Sequence, residues 1–119
     1  STHCISSAAS DVYKRQPHDW ADWTVEAEQD DPSSFLTLYR TLLAERRDNP
    51  ALGAGTMTWN ESSDDVLDFS REPDFRCVVN FGDDPVTVDT DKIIVTSTSL
   101  KTHDGLASVG RDQAVWLRA

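Results

Sequence analysis

From Gly53 onward the chain keeps a two-residue hydrophobic period, and that period restricts it to β structure. DFRCVVNF alternates most cleanly, which predicts Phe75, Cys77, Val79 and Phe81 facing inward with Asp74, Arg76 and Asn80 outward. TMTWNE puts Met57 and Trp59 on one face, and VLDFSR does the same for Leu67 and Phe69. PVTVD, KIIVTST and AVWLRA are further strand candidates. Glu72-Pro73-Asp74 and Gly82-Asp83-Asp84-Pro85 punctuate these runs as turns. Short strands at near-regular spacing predict an antiparallel sheet or sandwich, so the fold class is mainly β. Ser99 to Asp112, with Gly105 and Gly110, reads as one long irregular connection.

Before Gly53 the period changes. In DPSSFLTLYRTLLAERRDNP, Phe35, Leu38 and Leu42, with Leu36, Tyr39 and Leu43 one step around, form a broad apolar face at helical spacing. Asp31 suits the N-cap and Pro32 the first helical position, where a missing N–H costs nothing. Arg46 and Arg47 favour the negative end of the helix dipole, and Asn49-Pro50 stops the helix. One amphipathic helix is predicted over about 32–47. Its apolar face needs a partner, and no second helix follows to supply one.

The first 16 residues read differently from everything after them. STHCISSAASDVYKRQ has no apolar periodicity and lacks the ordered charge, apolar core and cleavage site of a signal peptide. Ser6 to Gln16, SSAASDVYKRQ, resembles the translation of a transposase-type sequencing adaptor. Residues 1–16 are therefore expected to be an adaptor-derived, disordered artefact, with Pro17 the first genuine residue of a longer gene product. Setting them aside leaves 103 of the 119 residues, enough for one small domain with a modest core. Of the 21 acids and 11 bases, the leading stretch holds Asp11, Lys14 and Arg15. The remainder thus has 20 acids and 9 bases, a net charge of −11 that disfavours nucleic acid and anionic membranes as partners. Removing Cys4 leaves Cys77 alone, so neither a disulfide framework nor a metal site is expected, and no cofactor. Cys77 itself reads as a small buried apolar side chain.

The helical segment carries a family resemblance. Asp31, Pro32, Ser34, Tyr39, Arg40 and Arg46, followed by the Pro-Ala-Leu exit at 50–52, resemble the eighth helix of the catalytic barrel in bacterial α-glucosidases of the α-amylase superfamily, glycoside hydrolase family thirteen. PHDWADWTVEAEQDD resembles the loop leading into that helix. VLDFSR, FRCVVNFGDDPVTV and AVWLRA resemble the small antiparallel domain that closes these enzymes. The resemblance implies a division into the end of a truncated (β/α)8 barrel over 17–52 and a C-terminal antiparallel β domain over 53–119. It also implies a retaining parent enzyme that hydrolyses terminal α-linked glucose from oligosaccharides, using a carboxylate nucleophile and a carboxylic acid. Those groups sit on earlier barrel strands, so no catalytic residue is assigned here. The missing barrel would be the partner in cis, oligosaccharide the substrate and the cytoplasm the expected location.

Within that frame Trp20 and Trp23 are candidate sugar-lining residues, because aromatic faces stack on pyranose rings; the competing reading is ordinary packing. Trp59 and Trp116 read as core or as the contact between sheet and barrel. His18-Asp19 and His103-Asp104 resemble acid/base dyads on paper, but neighbours on a loop seldom face each other and no nucleophile accompanies them. Asn60-Glu61-Ser62 matches a glycosylation acceptor by chance. The alternatives to an α-glucosidase fragment are a stand-alone carbohydrate-binding or structural β domain, and a fragment of a relative acting on trehalose or sucrose.

Overall fold

A computed structural model describes residues 18–119, and the expected adaptor segment lies outside them. The chain divides between Tyr39 and Arg40 into two compact units. In the first unit, a 3-10 turn over His18–Trp23 leads into a short helix, α1, over Val25–Glu28. Thr24 caps α1, its hydroxyl accepting from the Ala27 N–H at 3.2 Å.

The main helix, α2, runs over Phe35–Asp48 and crosses the division between the units. It starts three residues later than the predicted 32, and its N-cap is Ser34 rather than Asp31. The Ser34 hydroxyl accepts from the Thr37 N–H at 3.2 Å, and the Ser34 carbonyl receives the Leu38 N–H. Asp31 closes a tighter turn instead. Its carboxylate takes both the backbone N–H and the hydroxyl of Ser33, at 2.9 and 2.7 Å. A side chain occupied with its own second neighbour stabilises a turn in competition with helix, which is why Pro32 belongs to the turn. No residue of α2 is buried, and Phe35, Tyr39 and Leu43, spaced four apart, form an exposed apolar line.

The second unit holds eight strands in two antiparallel sheets. Strands β1 (Met57–Trp59), β2 (Val66–Arg71), β3 (Phe75–Asn80), β5 (Ile93–Thr96) and β8 (Gln113–Leu117) form one sheet, in the order β1-β2-β3-β8-β5. Strands β4 (Val86–Asp89), β6 (Lys101–His103) and β7 (Leu106–Val109) form the other, in the order β4-β7-β6. Val78, Val115 and Leu117 from the larger sheet meet Val88, Ala107 and Val109 from the smaller in one fully buried cluster. This is the face-to-face packing of a β-sandwich. The predicted mainly β, antiparallel class is therefore the observed one.

The opposite face of the larger sheet carries a second cluster. Phe75 and Cys77 pack there against Ala51, with Phe69, Val79 and Trp116 partly buried around them. Ala51 belongs to a 3-10 turn over Pro50–Leu52 that follows α2, capped by the Asn49 side chain. Gly55 lets this exit lie close to the sheet. A Cβ there would stand 2.1 Å from the Glu72 carbonyl oxygen and 2.5 Å from that of Ala51. Arg71 ties the same loop down, donating to the Gly55 carbonyl at 2.9 Å.

Two parts of the strand reading need correction. Strand β3 was expected to face inward through Phe81 and outward through Asn80; instead Asn80 is completely buried and Phe81 is exposed. β3 sits between β2 and β8 with apolar clusters on both faces, so alternation does not separate core from solvent there. The Asn80 amide is satisfied by donating to the carbonyls of Asp84 and Val109, while its oxygen accepts the Gly82 N–H. The expected irregular connection from Ser99 to Asp112 contains strands β6 and β7. They are joined at Asp104-Gly105, both at positive φ of 51° and 77°, the geometry of a two-residue hairpin turn.

Candidate functional site

The sequence-predicted sugar-lining residues fall in the first unit, where the turn over 18–23 and the start of α2 enclose an open cleft of about 350 Å³. Trp23 lines it beside Asp22, Glu28, Asp31, Ser33 and Phe35. The Trp23 and Phe35 rings lie 6.4 Å apart and are inclined by only 30°, and both are more than half exposed. Two exposed aromatic rings in a cleft that also holds carboxylates can stack on the C–H face of a sugar and accept hydrogen bonds from its hydroxyls. Trp20 is exposed but does not line the cleft, so the structure separates the two candidates. Phe35, assigned in sequence to the helix's buried face, is the second aromatic lining the cleft.

Of the three carboxylates lining the cleft, Asp22, Glu28 and Asp31, the last is already engaged by Ser33. Retaining chemistry needs one carboxylate free to attack and one carboxylic acid kept protonated. Asp31 fits neither role: the Ser33 hydroxyl and N–H hold its carboxyl below the usual carboxylate range and occupy one of its oxygens. No histidine or lysine lines the cleft. His103 and Asp104 meet at 3.1 Å, yet both are almost entirely exposed at the β6–β7 turn, and neither lines the cleft. The described side chains begin after Asp19, so the His18-Asp19 pair lies outside them. Among the described residues no group of three or more His, Cys, Asp or Glu side chains could hold a metal ion.

A buried polar arrangement lies elsewhere and escaped sequence reasoning. On β2, Asp68 is only 5% exposed and takes a two-pronged ion pair from Arg76 on β3, at 2.9 and 2.6 Å. Asn60 donates to the same carboxylate at 2.7 Å and to the Ser70 hydroxyl at 2.9 Å. Burial pushes the Asp68 carboxyl upward, but the guanidinium and amide outweigh it and hold the group below its ordinary value. The available signal was an acid and a base on facing strands of one short hairpin. Asn60, the formal glycosylation position, is thus committed to the fold. Cys77 is buried with its thiol pushed up to about 11, chiefly by desolvation, which makes it inert.

The antiparallel sandwich, preceded in sequence by one amphipathic helix, is a fold that the chain shares with solved structures. Among solved structures, the chain is similar to isomaltulose synthase PalI from Klebsiella sp. LX3 with a TM-score of 0.64 and 19% identity, covering 85% of this chain and 20% of that one. It is similar to the trehalulose synthase MutB from Pseudomonas mesoacidophila MX-45, with a TM-score of 0.61, 22% identity and coverage of 80% and 19%. A MutB variant solved with its substrate sucrose gives 0.62, 22%, and 80% and 19%. The chain thus spans about one fifth of the length of these proteins. No family model matches it, and no curated protein does.

Proposed function

We propose that this chain is the C-terminal part of a retaining α-glucosidase-type enzyme of glycoside hydrolase family thirteen, with a structural and non-catalytic role of its own. In this reading residues 17–52 close the catalytic barrel, residues 53–119 form the terminal β domain, and the parent hydrolyses terminal α-linked glucose from oligosaccharides. The supporting observation is that 85% of this chain aligns with only a fifth of a sucrose-isomerising enzyme. The exposed apolar line on α2 agrees with it, because a helix of that pattern buries the line against something. A second reading, in which the parent rearranges sucrose instead of hydrolysing glucosides, is favoured by the activities named for those neighbours.

The genomic sequence upstream of the Pro17 codon tests the proposal: a barrel-coding frame is expected there, and a start codon beside Pro17 would overturn it. Purified chain should release no glucose from maltose, isomaltose or sucrose. Saturable oligosaccharide binding by a monomeric chain, lost in Trp23→Ala, would replace the proposal with a stand-alone carbohydrate-binding domain.

A further inference from the structure

The β6–β7 turn is built on the one Asp-Gly bond in the 119 residues, and no Asn-Gly bond occurs. An aspartate followed by glycine can close on itself: the glycine nitrogen attacks the carboxyl carbon and forms a five-membered imide, a step that a side chain on the second residue obstructs. A Cβ added at Gly105 would meet nothing within 4 Å, so this bond is open to water. The Gly105 N–H has no acceptor among the described residues. The Asp104 carboxylate is 85% exposed, and its one partner among them is the His103 imidazole at 3.1 Å, itself 91% exposed. A pair so placed is screened by water and holds the side chain weakly. Asp31 and Asp68 are fixed by contrast, the first by the Ser33 N–H and hydroxyl, the second by Arg76 and Asn60.

The backbone supplies the remaining requirement. With φ of 51° at Asp104 and 77° at Gly105 the turn has the type I′ signs. Swinging only the peptide plane between them gives type II′, which keeps positive φ at the first residue and sets its ψ near about −120°. At that ψ the Gly105 nitrogen eclipses the Asp104 Cβ and comes within reach of Cγ. Glycine takes either sign of φ, so Gly105 permits the swing. The Gly105 carbonyl, held by the Thr90 N–H at 3.0 Å and hydroxyl at 2.9 Å, lies beyond the moving plane.

We infer that Asp104 is a site of spontaneous covalent modification, cyclising with the Gly105 nitrogen in the folded hairpin and reopening as isoaspartate. In the first step the Gly105 N–Cγ bond forms and the C–O bond to the hydroxyl of the protonated carboxyl breaks. That hydroxyl leaves with the Gly105 amide proton as one water. Water then adds back to the imide. Addition at Cγ restores aspartate, whereas addition at the main-chain carbonyl of Asp104 breaks its bond to nitrogen and leaves the chain running through Cβ and Cγ. Nothing is oxidised or reduced. The backbone becomes one carbon longer between His103 and Leu106, which pair across the turn. It also carries a new α-carboxylate, the group that S-adenosylmethionine-dependent isoaspartyl methyltransferases esterify.

The test holds the purified, folded 119-residue chain in warm neutral buffer for days and then digests it with trypsin. The peptide Thr102–Arg111 contains Asp104 and no other aspartate or asparagine. A second chromatographic peak of this peptide is expected, equal in mass, resistant to a protease that cuts before aspartate, and methylated by an isoaspartyl methyltransferase. Peptides carrying the other aspartates are expected to stay single. Asp104→Glu should lose the second peak, because its ring would have six members. Gly105→Asn, which tolerates positive φ but carries a side chain, should lose most of it. Far-UV circular dichroism establishes that each variant is folded, and Gly105→Asn carries the comparison if Asp104→Glu is not. The synthetic peptide Thr102–Arg111 is the positive control. An intact chain that stays unmodified while this free peptide isomerises would overturn the inference, as would isoaspartate appearing equally at the other aspartates, the mark of reaction in the unfolded chain. Persistence of the second peak in both variants would overturn the cyclisation route.

Discussion

The ion pair between Asp68 and Arg76 shows what one side chain holds together in this domain. Replacing Asp68 with alanine leaves the Arg76 guanidinium and the Asn60 amide without their shared acceptor in a half-buried place. Urea unfolding should then show a loss of about 1–3 kcal/mol. The same carboxyl sets a pH dependence. Its pKa is lowered on folding, so its contribution is complete above its unfolded value of about 4 and disappears as pH falls through the lowered folded one. Midpoints measured from pH 6 down to pH 2 should fall less steeply in Asp68→Asn than in the parent. Cys77 makes a quieter prediction. In a Cys4→Ser background, a disulfide reagent at pH 8 should react with less than one thiol per chain until denaturant is added, because the group is buried and its pKa is about 11.

At the scale of elements, the start of α2 and the loop that leaves it are the points of control. Ser34→Ala removes the acceptor for the Thr37 N–H and should cost about 1 kcal/mol, read as a lower thermal midpoint of the helical signal. Gly55→Ala should cost about 1–3 kcal/mol or more, because the atoms in its way are backbone carbonyls that cannot rotate aside. These two positions also mark the limits of reading this fold from sequence. The helix was visible in its 3.6-residue pattern, but its first residue depends on whether Asp31 or Ser34 caps it, and both have the right chemistry. Six of the eight strands were visible as alternation or short apolar runs. The two that were missed, Lys101–His103 and Leu106–Val109, are short and joined by Asp104-Gly105, a hairpin signal outweighed by the polar residues around it. Asn80 was assigned to solvent because polarity was used as a proxy for exposure. Its burial depends on carbonyls from Asp84 and Val109, and the latter lies 29 residues away. Likewise Trp23 was read as a sugar-lining candidate and Phe35, 12 residues on, as helix packing, while the fold sets the two rings 6.4 Å apart.

At the scale of the whole molecule, the larger sheet is buried on its sandwich face and partly open on the other. The buried side takes Leu117 at 2% exposure, and Leu117→Ala should cost about 2–5 kcal/mol in urea unfolding. The open side and the exposed line on α2 set the solution behaviour of the isolated chain: a hydrophobic dye should bind to it in native buffer, and binding should fall when Trp59 and Leu43 are both replaced by lysine. The order β1-β2-β3-β8-β5 has one further consequence. β5 borders only β8, so during synthesis the larger sheet exists as two unconnected pieces until residues 113–117 have left the ribosome. A nascent chain stalled at residue 112 holds its hairpins but not its sheet. Cooperative folding is deferred to the moment when the final strand slides in between two that have long been waiting.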